Sequence, residues 1–250
     1  MLSLERVKIN LNAFRYSIGL ALFACVAVVM GLAAVESVGK FERTYTPQGP
    51  AHLTISNFNG TIRATGWDKK TISVRASTDP DVAVREEVAG DDITITVKRD
   101  FRLRRSNFEV FMPIDTSISL KSFTGDIEVS GVAGHVSINS IDSNVRLVGL
   151  KSPSVDVKVT NGDIFFDGHL DDGGSYNLQS IKGDIDVTLP GATPFNLNAR
   201  ALSENINLGG FLNSLTAASR GAKGVSGTYL NGNSRLTLTA FAGRILLHKK

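Results

Sequence analysis

Cysteine is nearly absent: the 250 residues contain one, Cys25. It sits in an apolar run near the N-terminus, so the rest of the sequence can form neither an internal disulfide nor a thiolate metal site. Proline is scarce at 7 residues, which argues against a proline-rich linker architecture, whereas 24 glycines suit many tight turns between short strands. Excess charge of one sign is lacking too, since a net charge of +3 and a pI of about 9.0 give little ground for nucleic-acid binding. The four histidines, at 52, 135, 169 and 248, show neither an HExxH motif nor i,i+4 pairing, so nothing points to zinc. No Gly-x-Ser-x-Gly elbow precedes a helix. With 42% hydrophobic and 20% charged residues the chain is of ordinary folded composition, and its stability has to come from packing.

One long uncharged run is present, Tyr16 to Val35. Its 20 residues would make a helix about 30 Å long, the hydrocarbon thickness of a bilayer. Arg6, Lys8 and Arg15 precede it with Glu5 alone opposing them, which places residues 1–15 in the cytoplasm and the remainder outside. The expected organisation is a signal anchor over 16–35, a polar connector over 36–50 and a β domain over 51–250. A cleaved signal peptide is the alternative, with Val35-Glu36-Ser37 as a poor cleavage site. A lipoprotein would need its cysteine at the end of the apolar run, yet ten uncharged residues follow Cys25.

Beyond residue 50 the chain repeats itself. Phe58-Asn59-Gly60-Thr61-Ile62, Phe123-Thr124-Gly125-Asp126-Ile127, Ile141-Asp142-Ser143-Asn144-Val145, Thr160-Asn161-Gly162-Asp163-Ile164, Ile181-Lys182-Gly183-Asp184-Ile185, Leu202-Ser203-Glu204-Asn205-Ile206 and Phe241-Ala242-Gly243-Arg244-Ile245 each join two alternating runs. From Ile127 onward the steps are 18, 19, 21 and 21 residues, and a final 39 leads to Ile245. A period near 20 with strand alternation predicts an all-β, parallel β-solenoid whose coils bury their apolar sides against one another. Alternation places Ile118, Leu120, Val136, Ile138, Val155, Val157, Leu178 and their equivalents inside, with Ser, Asn, Asp and Lys on the solvent face. The motif is missing between Ile62 and Ile127, so residues 66–113 are expected to be a diverged subregion capping the stack, while 211–227 suit a loop or short helix.

These residues resemble those of bacterial cell-envelope proteins that carry a β-solenoid domain of unknown function and are grouped as adhesin-like. The resemblance covers roughly residues 50–250 and rests on Asn59-Gly60-Thr61-Ile62 followed by Gly66-Trp67-Asp68, on Phe108-Glu109-Val110-Phe111-Met112-Pro113, and on the Gly-Asp-Ile turns at 125–127, 162–164 and 183–185. It implies surface association and supplies no shared catalytic or binding residue.

Two groups of side chains invite a chemical reading. The column Thr61, Asp126, Asn144, Asp163, Asp184, Asn205 and Arg244 precedes the Ile or Val of each turn, and stacked coils would set its members about 4.8 Å apart. Oxygen ligands so placed suit Ca²⁺, but the spacing is not that of calcium β-rolls, and Asp and Asn favour turns in their own right. The basic group Lys98, Arg99, Arg102, Arg104 and Arg105 interleaves with Phe101 and Leu103. It suits contact with an anionic surface, lipid headgroups or an acidic polymer, or else protection of a sheet edge. Asp171-Asp172 in a glycine-rich loop is the candidate carboxylate pair for glycoside hydrolysis.

The expectation is therefore a non-enzymatic interaction module of the bacterial envelope, anchored in the inner membrane, with its β domain in the periplasm or outside the cell and no cofactor. If the signal is cleaved, the protein is secreted. Its partner would be an envelope protein or glycan, with membrane contact through the N-terminal helix and no nucleic acid. A polysaccharide-acting enzyme on the same scaffold, or an envelope-stress regulator binding a membrane protein through 66–113, are the alternatives.

Overall fold

A computed structural model describes residues 35–98 and 104–250. The expected anchor over 16–35 lies outside them except for Val35, and no helix among the described residues is long and apolar enough to cross a membrane. The described chain forms a sheet of twelve strands and a sheet of ten, together with one short 3-10 helix, Gly209–Ser214.

Each coil gives one strand to each sheet. Ser117–Thr124 lies in the first and Ile127–Ser130 in the second, with Gly125 and Asp126 turning between them. Ile118, Leu120, Ile127 and Val129 of this coil are buried, because alternation on the two facing strands directs them into the same gap. Neighbouring coils pair in parallel and in register. Ile62, Ile127, Val145, Ile164, Ile185, Ile245 and Ile206 form one continuous column, each paired with the next. The result is a thin core of buried Ile, Val and Leu running the length of the stack.

Nearest the turns several of the inward residues are polar, although Val159 shares their level. Ser122, Ser140 and Ser180 are buried there in phase with Leu120, Ile138 and Leu178, so these serines depart from the expectation that Ser faces solvent. Ser140 Oγ donates to the Ser122 carbonyl at 3.2 Å and Ser180 Oγ to the Gly162 carbonyl at 2.9 Å, which removes the cost of burying a hydroxyl.

Stacking order departs from chain order at both ends. Asp92–Val97 and Ser106–Pro113 make a further coil lying outside His52–Asn59 and Ile62–Trp67, and the next coil in sequence then crosses back to their other flank. At the far end Ser234–Ala240 and Ile245–Lys249 slot between the coil Ser175–Leu189 and the coil Phe195–Asn207. A long step to Ile245 thus carries the chain back along the stack. The region 209–229 holds the 3-10 helix and an antiparallel hairpin, Leu215–Gly221 with Gly224–Tyr229, which ends the twelve-stranded sheet.

Strands begin earlier than the connector expected over 36–50. Val35–Val38 pairs with Ala83–Ala89, and Lys40–Tyr45 pairs with Ile72–Thr78. Phe41 is buried and Tyr45 half-buried in the latter pair, and the Tyr45 hydroxyl donates to Glu86 at 2.7 Å. Burial, then the bond to the Glu86 carboxylate, pushes the Tyr45 hydroxyl well above the usual tyrosine range.

Candidate functional site

The turns stand in a row along one edge of the stack, and two columns of side chains follow from that registry. The first is the Asp/Asn column. Asn144 donates its backbone N–H to Asp126 Oδ1 at 3.3 Å, Asp163 donates to Asn144 Oδ1 at 3.1 Å, and Asp184 to Asp163 Oδ1 at 2.7 Å. Arg244 continues the series by donating its N–H to Asp184 Oδ1 at 2.8 Å and its guanidinium to Oδ2. Each side chain therefore caps the backbone of the neighbouring coil, and among the described residues no group of three His, Cys, Asp or Glu is placed to hold a metal ion. A polar hollow of about 390 Å³ beside the column takes in Asp126, Asp142, Asp163 and Lys182.

The guanidinium of Arg244 holds the Asp184 carboxyl below its usual range. A depressed carboxylate contributes stability that is present above its unfolded value, near 4, and is lost as pH falls through the folded value. Asp184→Asn is accordingly expected to lower the thermal midpoint by at most a few degrees at pH 7, since the pair is largely solvated, and to match the unsubstituted protein near pH 2. Thermal melts at both pH values check this.

A second column was not singled out as a surface in the sequence. The residue opening each turn motif points outward from the twelve-stranded sheet, so Phe123 is 39% exposed, Ile141 46%, Ile181 41%, Phe241 42% and Leu202 50%. Half-buried Phe58 begins the column and exposed Thr160 interrupts it. The rings of Phe58 and Phe123 stack with centroids 4.9 Å apart. Beside this apolar stripe, one alternation back along the strands, stand Lys121, Lys158 and Arg200.

The third feature is the predicted basic group, of which Lys98, Arg104 and Arg105 are among the described residues. Eight residues, 98–105, separate the strand ends Val97 and Ser106, against two between the strands of neighbouring coils. Lys98 is exposed and stands at the end of the apolar stripe, two residues beyond the paired Thr96 as Phe58 is beyond Ser56. Arg104 turns back on the fold, its Nη1 donating to the Pro80 carbonyl at 2.7 Å and lying 3.2 Å from Asp81. Arg105 is exposed and its backbone N–H is fixed by Asp79 at 2.8 Å. Arg99 and Arg102, with Phe101 and Leu103, lie outside the described residues.

The opposite face carries a charge series invisible in chain order. Glu42, Arg75, Glu109, Arg63, Glu128 and Arg146 lie side by side across six strands of the ten-stranded sheet with alternating sign. Arg75 reaches Glu42 at 3.0 Å, Arg63 reaches Glu128 at 3.5 Å, and Arg146 ends the series over the Phe165 ring at 4.3 Å. A hollow of about 500 Å³ contains Arg63, Arg75 and Glu109, and both guanidiniums in it are already committed to carboxylates. The candidate carboxylates Asp171 and Asp172 sit in a tied loop. The Asp171 N–H donates to the Tyr176 hydroxyl at 2.7 Å, and that hydroxyl donates to the Ser152 carbonyl at 2.6 Å. Burial pushes the Tyr176 hydroxyl up to about 12.

Set against known families, residues 115–246 match the model of the toastrack DUF4097 family, more than half of the chain. The chain belongs to that family. The toastrack match begins at the coil Ser117–Ser130, so the coils at 52–67 and 92–113 lie before it. Among solved structures, a candidate cell adhesion protein from Clostridium sporogenes superposes with a TM-score of 0.52 at 13% identity, covering 86% of this chain and all of that one. A candidate adhesin from Bacteroides fragilis, at a TM-score of 0.38 and 12% identity, covers 86% of this chain and 98% of its own. No curated protein matches. These results show a toastrack module, and the first of the two structures shares its fold.

Proposed function

We propose that the chain is an extracytoplasmic interaction module of the cell envelope, held to the inner membrane by the segment 16–35 and binding an envelope protein or glycan without catalysis. One observation carries this reading. The outer face of the twelve-stranded sheet repeats small polar side chains in line, Thr54, Ser119, Ser137, Asp156, Asn177 and Thr237, one per coil along the stack. Chemistry that recurs at a fixed spacing suits a partner that is itself repetitive, because many weak contacts then act together. The likeness in fold to a protein named for cell adhesion supports the same reading.

Within this proposal Lys98, Arg99, Arg102, Arg104 and Arg105 form the contact to an anionic headgroup or acidic polymer, each exposed cation near such a surface adding about 1 kcal/mol. Arg104 then acts chiefly by fixing the end of the segment 98–105 through Asp81 and Pro80. A photoreactive residue at Ser137 should capture an envelope component in intact cells, whereas the same probe at Val148, on the outside of the other sheet, should not. Equal capture at both positions, or none at Ser137, removes the reading.

A further inference from the structure

We propose that the apolar stripe is the seam of a homodimer, in which a second copy of this chain lies stripe to stripe with its stack axis parallel to the first. Apolar side chains recurring in line on an otherwise polar face mark an interaction surface, because scattered exposure would not repeat at one position of successive coils. The extent fits a stable dimer. The stripe and the columns on either side of it hold three residues in each of seven coils, close to the roughly 20–30 residues a side of a standard interface.

Charge decides the orientation. On the sheet side of the stripe stand Lys121, Lys158 and Arg200, and on the turn side stand Asp126, Asp142, Asp163 and Asp184 against Lys182 and Arg244, so that the turn side is net negative. An interface between identical copies must be complementary to itself. A two-fold axis parallel to the stack sets each coil against its own copy and the cationic side of one against the carboxylate side of the other. Lys121 and Asp126 share the coil 117–130, and Lys158 and Asp163 the coil 154–168, so opposite charges meet at the same level. The perpendicular two-fold would set lysine against lysine, which is repulsive. Parallel axes also bring the N-terminal ends of both stacks to the same side.

The other occupants fit less well. An anionic bilayer surface would be attracted by Lys121, Lys158 and Arg200 along one side and repelled by the carboxylates along the other, whereas a second copy matches both sides. A sugar stacks on the face of an aromatic ring, but Phe58 and Phe123 lie face to face with an interplanar angle of 15°, and their contacting faces are used on each other.

The test uses the full chain with Cys25 replaced by alanine. Ile141→Cys should give a disulfide-linked dimer on oxidation with copper phenanthroline in isolated membranes, because the two-fold sets this position against its own copy. Ser137→Cys, four residues back on the same face, should stay monomeric. Light scattering of the detergent-solubilised chain should give a dimer mass that falls by half in Ile141→Glu, with an unchanged circular dichroism spectrum. A monomer mass for the unsubstituted chain, equal crosslinking at both positions, or a dimer retained in Ile141→Glu would each overturn the proposal. Unchanged mass with lost binding to anionic vesicles in Ile141→Glu would overturn it in favour of lipid. No envelope ligand enters these measurements, so their failure is separate from failure of the adhesin-like reading.

Discussion

Gly162→Ala is expected to destabilise the protein by about 3 kcal/mol or more, as much as truncating a core side chain, although it adds a single methyl at the surface. Gly162 has φ +136°, a region in which side chains are strained, and a Cβ there would lie 2.1 Å from the Ser143 carbonyl oxygen of the adjacent coil. That neighbour is backbone held in the parallel ladder, since the Ser143 N–H donates to the Asn161 carbonyl at 2.9 Å. The methyl can be accommodated only by parting the coils. Ile164→Ala provides the benchmark: the side chain is fully buried and its truncation should cost about 2–5 kcal/mol. Chemical denaturation of both variants checks the comparison, and a cost for Gly162→Ala below about 0.5 kcal/mol, the level of an ordinary surface change, would mean that the coils are not in such close contact.

Deleting residues 231–250 should have the largest effect. Leu236, Leu238, Ile245 and Leu247 are all buried, and removing four such side chains forfeits about 6–12 kcal/mol, comparable to the whole stability of a typical domain. The loss has a specific address. Phe195–Ala201 bonds in parallel to Ser234–Ala240 on one side and to the hairpin strand Gly224–Tyr229 on the other, so deletion detaches everything from 195 to 230 from the stack. Hydrogen exchange should find the amides of 195–201 unprotected while those of 117–150 keep most of their protection. Protection throughout would mean that Phe195–Ala201 can pair directly with Ser175–Lys182, as chain order suggests.

Strand alternation and the period near 20 gave the two-sheet stack and its Ile/Val/Leu core directly, because both are local properties of sequence. Stacking order was not legible, since Phe195 and Leu197 alternate in the same way as Leu236 and Leu238 and either strand could lie beside Ser175–Lys182. The hairpin at 215–229, which occupies the outer edge of Phe195–Ala201, belongs to one order alone. The coil at 92–113 was hidden for a related reason: eight residues, 98–105, stand between its strands in place of two, so the count of residues between motifs breaks there. The early strand at 40–45 did leave a signal in the alternation of Phe41, Arg43 and Tyr45.

The candidate surfaces were legible in composition and illegible in arrangement. Each apolar residue opening a turn was visible singly, and alternation puts it on the outer phase, but its alignment into a stripe depends on the register between coils. Likewise the alternating series from Glu42 to Arg146 draws on strands in the order 40–45, 72–78, 106–113, 62–67, 127–130 and 145–150. A one-dimensional scan meets those charges shuffled. By contrast the Asp/Asn column could be read from sequence, and the structure supplies its bonding: side-chain oxygen to neighbouring backbone N–H, coil after coil.

The interleaved far end also sets a timetable. Synthesis delivers the chain from its N-terminus at about 5–20 residues per second, and domains begin to fold as they emerge. Coils from Val136 to Leu189 can close in succession, each on the one before, but the position beside Ser175–Lys182 belongs to a strand made more than forty residues later. For the few seconds in which residues 190–249 are being made, that parallel edge stays open and Phe195–Ala201 has no coil to rest on. An open edge is a template for any extended chain within reach. The molecule is therefore most prone to join the wrong strand while still nascent, and arrival of Ser234–Lys249 ends that interval by filling the gap from both sides at once.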